Sequence, residues 1–243
     1  MPHINETIMK IKSALIVAFL ISVSASAYSQ NVTDSNGLRQ GEWSDRYDNG
    51  NLRYKGQFKD GKGVGVFEYY DENGRLKAKN IFDGKSNRVY NQMFAANGKV
   101  VAEGWFDDQK RDGEWKFYSE KDGSLILVEP YSNGKINGVS KGYKNKQVVE
   151  EIEYVNGVKN GKFNTYYDNG RPLSVGRYKD GLLSGMFTTY YPNGAVQYKG
   201  EYSYGVRMGI WVTYDEQGNE ISSDRHEIIN YNDPTLEDLL PDE

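Results

Sequence analysis

The side chains that most enzymes use for acid–base or metal chemistry are scarce in this chain. It contains no cysteine and two histidines, of which His226 is the one beyond the first thirty residues. The lack of cysteine excludes disulfides, thiolate metal sites, cysteine nucleophiles and a lipoprotein anchor. A serine hydrolase or a zinc enzyme needs an imidazole base or imidazole ligands, which one histidine near the C-terminus does not supply. Residue type alone therefore disfavours both enzyme classes.

Two short stretches match parts of ligand-binding loops, and both are incomplete. Gly56 to Gly61 followed by Lys62 has the spacing of a phosphate-binding loop, but Gly63 stands where Ser or Thr would bind magnesium. Asp71 to Gly74 matches the start of a calcium loop without its remaining ligands. The 34 acidic residues leave a glycosidase pair open by number, although no spacing singles one out. We therefore predict no enzyme, no catalytic residue, no metal site and no cofactor.

Glycine recurs about every 24 residues over most of the chain. It stands at Gly41, Gly65, Gly113, Gly138, Gly161, Gly185 and Gly209, and Val89 fills the one remaining slot. Eight copies of a repeat thus run from about Gly41 to Ile221. A fixed period of this length indicates a stacked array, which usually offers a long binding surface rather than a single cleft.

Each copy has the pattern of two strands and two turns. In the first copy Leu52, Tyr54 and Phe58 are two or four residues apart, the period of a strand with one buried face. Asn49-Gly50 predicts a hairpin with a type I′ turn, and Asp60-Gly61 marks the second turn. Eight such copies predict an all-β fold, an elongated antiparallel meander of about sixteen strands in a single curved sheet.

Two copies depart from the pattern. The third copy has Val89 in place of Gly and Asn91 in place of the usual Trp or Phe. The fifth has Lys146-Gln147 where the others have Asn-Gly, and its second strand slips by one residue. We expect bulges, irregular strands or a functional departure at these places.

The two ends lie outside the repeats. Lys10 and Lys12, the apolar run from Ala14 to Val23 and the small residues 25–27 have the layout of an export signal. We predict a signal peptide over residues 1–30, cleaved near Ala27 or Gln30, and a periplasmic or secreted bacterial protein without an integral membrane segment. An uncleaved anchor is the alternative, although the run is shorter than the roughly 20 residues of a membrane span.

From Ser222 onward the repeat pattern is lost and the chain becomes acidic. Asp233-Pro234 followed by leucines at helical spacing predicts a short helix over the last hairpin, with a disordered tail as the alternative. We therefore divide the chain into the signal peptide, a repeat domain over residues 31–221 and an acidic tail or cap over residues 222–243. The formal net charge of −4 and the absence of a basic run argue against nucleic acid as a partner.

The pattern Gly-x-Trp/Phe…Tyr-Tyr-x-Asn-Gly…Tyr-x-x-Gly, from Gly41 to Ile221, resembles the bacterial variant of MORN repeats. The resemblance implies a β-meander curled into an open groove and used for binding and self-association rather than chemistry. Some bacterial relatives carry an antitoxin label, which agrees poorly with an export signal. The hairpins also resemble, more loosely, bacterial wall-binding repeats, which usually contain more tryptophan.

Aromatic residues are the candidate binding residues. Those predicted to line the groove are Trp43, Tyr47, Tyr70, Trp105, Trp115, Tyr118, Tyr167, Tyr191, Trp211 and Tyr214. The alternative role for the recurring rings is a packing ladder, whereas Trp105 lies outside the recurring positions and is the expected contact residue. We predict an exported, non-enzymatic scaffold that binds another envelope or secreted protein through this groove. A glycan- or wall-binding module and structural self-association are the alternatives.

Overall fold

The computed structural model describes residues 31–84 and 86–227, and within these ranges the chain forms strands and turns without a helix. The strands are β1 (Val32–Thr33), β2 (Arg39–Arg46), β3 (Leu52–Lys59), β4 (Lys62–Tyr70), β5 (Leu76–Phe82), β6 (Val89–Phe94), β7 (Val100–Asp107), β8 (Lys110–Tyr118), β9 (Leu125–Ser132), β10 (Lys135–Ile136), β11 (Gly138–Lys144), β12 (Gln147–Val155), β13 (Val158–Tyr166), β14 (Pro172–Lys179), β15 (Leu182–Leu183), β16 (Gly185–Tyr190), β17 (Val196–Ser203), β18 (Val206–Tyr214) and β19 (Glu220–His226).

Strands that are adjacent in sequence pair antiparallel along the whole described chain, which makes one open sheet in meander order. β10 and β11 both pair with β9, and β15 and β16 both pair with β14, so each couple is one interrupted strand. When each couple is counted once and the short β1 is left aside, sixteen strands remain. The predicted all-β meander of hairpins is confirmed.

The two faces of the sheet differ in burial. In β3 the half-buried Leu52, Tyr54 and Phe58 alternate with exposed residues, as the period of two predicts. We call the face that carries these side chains and Trp43 the inner face, and the opposite one the outer face. The largest fully buried side chains, Trp115 and Trp211, occupy the position of Trp43 in later copies. The largest buried side chains are therefore rings on the inner face, and Ala102, Val128, Ile152 and Met208 are buried as well.

The turns differ from the prediction in type. At the first hairpin tip the N–H of Gly50 donates to the carbonyl of Tyr47 (2.8 Å), and of the Asn49-Gly50 pair only Gly50 has a positive φ, 82°. A type I′ turn requires a positive φ at both central residues, so the predicted turn type is wrong here. The type I′ pattern occurs instead at the other ends of the strands, for example at Asp60 (51°) and Gly61 (76°).

The third copy is more regular than the sequence suggested. In the second copy Gly65 has a φ of 67°, and the β3–β4 ladder shifts register just beyond Lys55. Valine is disfavoured in the left-handed region, and with Val89 in the glycine slot the β5–β6 ladder runs without any register shift. The third copy thus lacks a bulge in the β5–β6 ladder, whereas its own hairpin shifts register between Met93 and Phe94, as the other hairpins do near their tips. In the fifth copy the β11–β12 ladder does shift, next to Gly142.

The last hairpin is longer than the sequence division implied. β19 continues to His226, which pairs with Gly209, so the first residues of the predicted tail belong to the sheet. The predicted helix after Asp233 and the predicted signal peptide lie outside the described residues.

Candidate functional site

On the inner face, a glycine of one strand makes room for a ring of the next. A Cβ added to Gly104 would lie 2.5 Å from the Trp115 ring. Gly56 meets Phe67 and Gly200 meets Trp211 in the same way. Each of these rings lies directly on the backbone of the preceding strand, which explains why glycine is used inside a strand that it would otherwise weaken.

Polar residues replace this arrangement at two places. Asn80 holds a glycine position and Asn91 the ring position facing it, and the Nδ2 of Asn91 donates to the Oδ1 of Asn80 (2.6 Å). Two copies later Glu129 holds the glycine position and Ser140 the ring position. In both cases a larger polar side chain replaces glycine and a smaller polar one replaces the ring. The side chain at the glycine position therefore occupies part of the space that a ring fills in the other copies.

These two interruptions divide the inner-face rings into three ring segments. The first contains Trp43, Phe58, Phe67 and Phe82, the second Phe106, Trp115, Phe117 and Tyr131, and the third Phe163, Tyr178, Phe187, Tyr202 and Trp211. Within a segment, neighbouring ring centroids are 4.8–6.4 Å apart, in the range of favourable aromatic pairs.

The buried tryptophans are enclosed on all sides. Trp115 and Trp211 have 0% exposure. The guanidinium of Arg111 lies 4.5 Å above the Trp115 ring, and Arg207 lies 4.9 Å above that of Trp211. Trp115 also donates its Nε1–H to the carbonyl of Trp105 (2.8 Å). Trp115 and Trp211 were predicted to contact a partner in the groove. In this conformation they offer no surface to a partner, because neighbouring rings and cations cover them.

Three candidate tyrosines connect successive hairpin tips. The hydroxyls of Tyr47, Tyr167 and Tyr191 donate to the backbone carbonyls of Tyr70, Tyr190 and Tyr214, at 2.8, 2.6 and 2.9 Å. Each bond spans 23 residues and so joins one repeat to the next. These hydroxyls therefore form hydrogen bonds between repeats and are engaged within the chain rather than with a ligand.

The outer face carries hydrogen-bonded charge clusters. Glu68 is contacted by Lys55 (2.9 Å), by Lys79 (3.0 Å) and by the Tyr70 hydroxyl (2.8 Å). The hydrogen bond from Lys55, followed by those from Tyr70 and Lys79, lowers the pKa of Glu68 to about 2. Tyr214, another of the predicted binding residues, lies under the Lys199 ammonium (5.1 Å).

A second outer cluster surrounds Glu103. Its carboxylate accepts hydrogen bonds from Gln92 (3.0 Å) and from the Tyr118 hydroxyl (2.6 Å). Burial acts to raise the pKa of Glu103, but these hydrogen bonds outweigh it and lower the pKa. Burial and the charge of Glu103 raise the pKa of Tyr90 to about 12, and burial also raises that of Tyr118. All of these shifts move away from neutrality, so the cluster offers no general acid or base near pH 7.

Trp105 lies on the outer face, not in the inner groove. Cross-strand pairing places Val66, Ile81, Tyr90 and Trp105 side by side on β4 to β7. We call these four residues the outer stripe. Val66 is 47% exposed and Ile81 36% exposed, and the Tyr90 and Trp105 rings, both half-buried, meet edge to face with centroids 5.1 Å apart.

Arg88 supports the end of the outer stripe. Its guanidinium lies 5.0 Å from the Trp105 ring and bonds Asp112 through Nη2 (3.1 Å). An arginine held in this way fixes one face of the indole. Sequence reasoning singled out Trp105 but missed Val66, Ile81, Tyr90 and Arg88. Finding them requires two facts: which residues of each strand point to the outer face, and how the four strands are aligned with one another. The pattern of a single copy gives the first fact but not the alignment.

The described chain holds no grouping suited to metal chemistry. Between residues 31 and 227, apart from residue 85, no three His, Asp or Glu side chains lie close enough to hold a metal ion. In the same part of the chain no helix is long and apolar enough to cross a membrane.

The fold and the surfaces together define a β-hairpin repeat array, the kind of protein that commonly binds proteins or membranes rather than catalysing reactions. The sequence model of the MORN repeat variant matches residues 39–60, 64–83 and 183–204. These three segments are similar to the MORN repeat variant. The matches fall in regular copies and not in the third copy, where Val89 and Asn91 depart from the pattern.

Other comparisons add little. No curated protein matches the chain in sequence. Two solved structures share a limited likeness: a point mutant of S. aureus TarM in complex with fondaparinux, alpha-GlcNAc-glycerol and UDP (13% identity, TM-score 0.30), and TarM (14% identity, TM-score 0.28). Each likeness covers 40% of this chain and 19% or 18% of TarM, so the chain spans about a fifth of that protein. A likeness at this level carries no functional inference.

Proposed function

We propose that this chain is an exported, non-enzymatic scaffold that binds another envelope or secreted protein, and that the outer stripe is its contact surface. The observation that carries the proposal is the run from Val66 to Trp105, a continuous apolar strip across four adjacent strands of the outer face. Continuous exposed apolar surface ending in a rigid aromatic anchor is typical of protein-binding sites.

The inner aromatic groove supports the proposal less well. Two of its tryptophans are completely covered, and its exposed rim is occupied by cations stacked on rings. At about 4.8 Å per strand the outer stripe is roughly 15 Å long, enough for a few apolar side chains of a partner protein. The net charge of −4 disfavours an anionic lipid surface as the partner.

The test is affinity capture with the full chain as bait, from the envelope and medium fractions of its own cells. Trp105→Ala removes the indole and keeps the backbone carbonyl that Trp115 uses. Ile210→Ala is the matched control, since Ile210 is 54% exposed on a distant part of the outer face. We expect one protein to be captured by the wild type and by Ile210→Ala, and lost with Trp105→Ala. Capture that is unchanged in Trp105→Ala would refute the outer stripe as the contact surface.

A glycan- or wall-binding module is the alternative function, because a half-exposed indole can also stack on a sugar ring. Capture of wall polysaccharide without any protein, together with quenching of tryptophan fluorescence that Trp105→Ala abolishes, would favour it.

A further inference from the structure

We propose that the interruption at Asn80 and Asn91 is a binding site for a neutral, polyhydroxylated six-membered ring of the pyranose class. The site is a cavity of about 410 Å³ on the inner face, lined by Asn80, Asn87, Val89, Asn91, Phe106 and the turn Asp108-Gln109. It lies on the face opposite the outer stripe, so this proposal and the proposed function succeed or fail separately.

Departures from the repeat converge on this one cavity. Asn80 replaces the intrastrand glycine, Val89 the bulge glycine and Asn91 the ring. Gln109, with a φ of 63°, replaces the glycine found in the equivalent turns at Gly61, Gly134, Gly157, Gly181 and Gly205. A side chain there carries a conformational cost that glycine avoids. Four departures that line the same space indicate a site rather than scattered drift.

Asn91 lines the cavity and has a buried acceptor without a partner among the described residues. The residue is 5% exposed, its Nδ2 donates to Asn80, and its buried Oδ1 accepts no hydrogen bond from the described residues. Burial raises the pKa of Tyr69, and a hydrogen bond with Asn80 opposes that rise, so the Asn80 amide is engaged on both sides. The orientation of the Asn91 amide is therefore set, and its Oδ1 lacks the N–H or O–H donor that a buried amide oxygen normally has.

The lining selects the ligand class. One water occupies roughly 30 Å³ of liquid, so the cavity is too large to be explained by a single bridging molecule. Its volume falls in the range of small-ligand pockets, about 300–1,000 Å³. The amides of Asn80, Asn87, Asn91 and Gln109 offer donors and acceptors that suit hydroxyl groups. Among the described residues that line the cavity, Asp108 is the charged one and disfavours anions, and Phe106 with Val89 provides an apolar wall for C–H groups.

The second interruption gives a matched control. The Tyr131 hydroxyl donates to Glu129 (2.6 Å) and accepts from Arg111 (2.9 Å), so the carboxylate that replaces glycine there is hydrogen-bonded within the chain. Ser140 is buried beside them. This place has the same repeat position and polar character, without the unused acceptor found at Asn91.

The test is a titration of the ¹⁵N-labelled full chain, followed by the side-chain amide signals of Asn80 and Asn91. The probes are D-glucose, D-galactose and N-acetyl-D-glucosamine, with glycerol and sodium phosphate as controls. We expect a saturable shift with at least one sugar and none with either control. No saturable shift with any sugar, or a response to phosphate alone, would overturn the proposal.

Three variants locate the site. Asn80→Gly/Asn91→Phe rebuilds the glycine–ring arrangement and should abolish binding while the chain stays folded. Gln109→Gly relieves the turn and should weaken binding about tenfold through the loss of a rim hydrogen bond to the ligand. Glu129→Gly/Ser140→Phe should leave binding unchanged. Binding that survives in the rebuilt variant, or an unchanged affinity in Gln109→Gly, would contradict the assignment.

Discussion

Glycine has two physical roles in this chain, and spacing alone does not separate them. Gly50 has a φ of 82° and nothing within 4 Å of an added Cβ, so its role is conformational. Gly104 does not lie in the left-handed region, but an added Cβ would lie 2.5 Å from the Trp115 ring, so its role is steric. Both glycines recur with the repeat. The sequence predicts where glycine is required, whereas the reason depends on which ring of the next strand lies above it.

Replacing Gly104 by alanine tests the steric role. Gly104→Ala should destabilise the fold by about 1–3 kcal/mol, because the new methyl group must displace a fully buried indole. Gly50→Asn should cost less than about 1 kcal/mol, because asparagine tolerates the left-handed region and the space is open. Urea unfolding monitored by tryptophan fluorescence gives both values. Equal losses would contradict the steric role, because the Trp115 indole would then make room for the methyl group without extra cost.

At the scale of the hairpin, the sequence predicts strand number and order but not turn geometry. Asn-Gly marks the tips correctly, yet the chain forms a wider tip there and uses type I′ turns at the Asp-Gly positions. The wider tip leaves some backbone carbonyls free to accept hydrogen bonds from the preceding repeat. Tyr47 and Asn49 use this, donating to the carbonyls of Tyr70 (2.8 Å) and Glu72 (2.8 Å). Bonds between repeats are not visible in the pattern of a single copy.

The tyrosine pair Tyr190-Tyr191 separates the contribution of the tips from that of ring packing. Tyr191→Phe removes the hydroxyl that donates to the Tyr214 carbonyl (2.9 Å) and should lower the free energy of unfolding by about 1 kcal/mol. Tyr190→Phe is the control, because its hydroxyl makes no hydrogen bond with the described residues, and it should change stability by less than about 0.5 kcal/mol. Chemical denaturation of the two variants under one condition makes the comparison. A loss in Tyr190→Phe as large as that in Tyr191→Phe would count against the tip bonds.

At the scale of the molecule, the array has no core beyond the contacts between neighbouring repeats. The ring positions were predictable from the period, and so was the special status of Trp105. Its outer-face location and its neighbours Val66 and Tyr90 were not, because they follow from register across four strands. The enclosure of Trp115 was also beyond single-copy reasoning, since Phe106 covers it from the neighbouring strand β7. The repeat pattern therefore predicts the structure of one copy, whereas the contacts between copies determine which rings remain accessible to a partner.

The two polar interruptions should make the array unfold in parts. Stability in such arrays is approximately a sum of repeat and nearest-neighbour terms, so an interface without stacked rings is a weak point. Native-state hydrogen exchange should resolve three cooperative units that match the three ring segments, with the lowest protection at the β5–β6 ladder and at the β9–β11 ladder. The rebuilt variant Asn80→Gly/Asn91→Phe should raise protection at the first boundary and leave the second unchanged, because it restores a ring at the first boundary alone. The contrary result is a smooth gradient of protection from the ends of the array that this variant does not change. It would mean that backbone hydrogen bonds alone couple the unfolding of neighbouring repeats, and that the missing rings do not weaken this coupling.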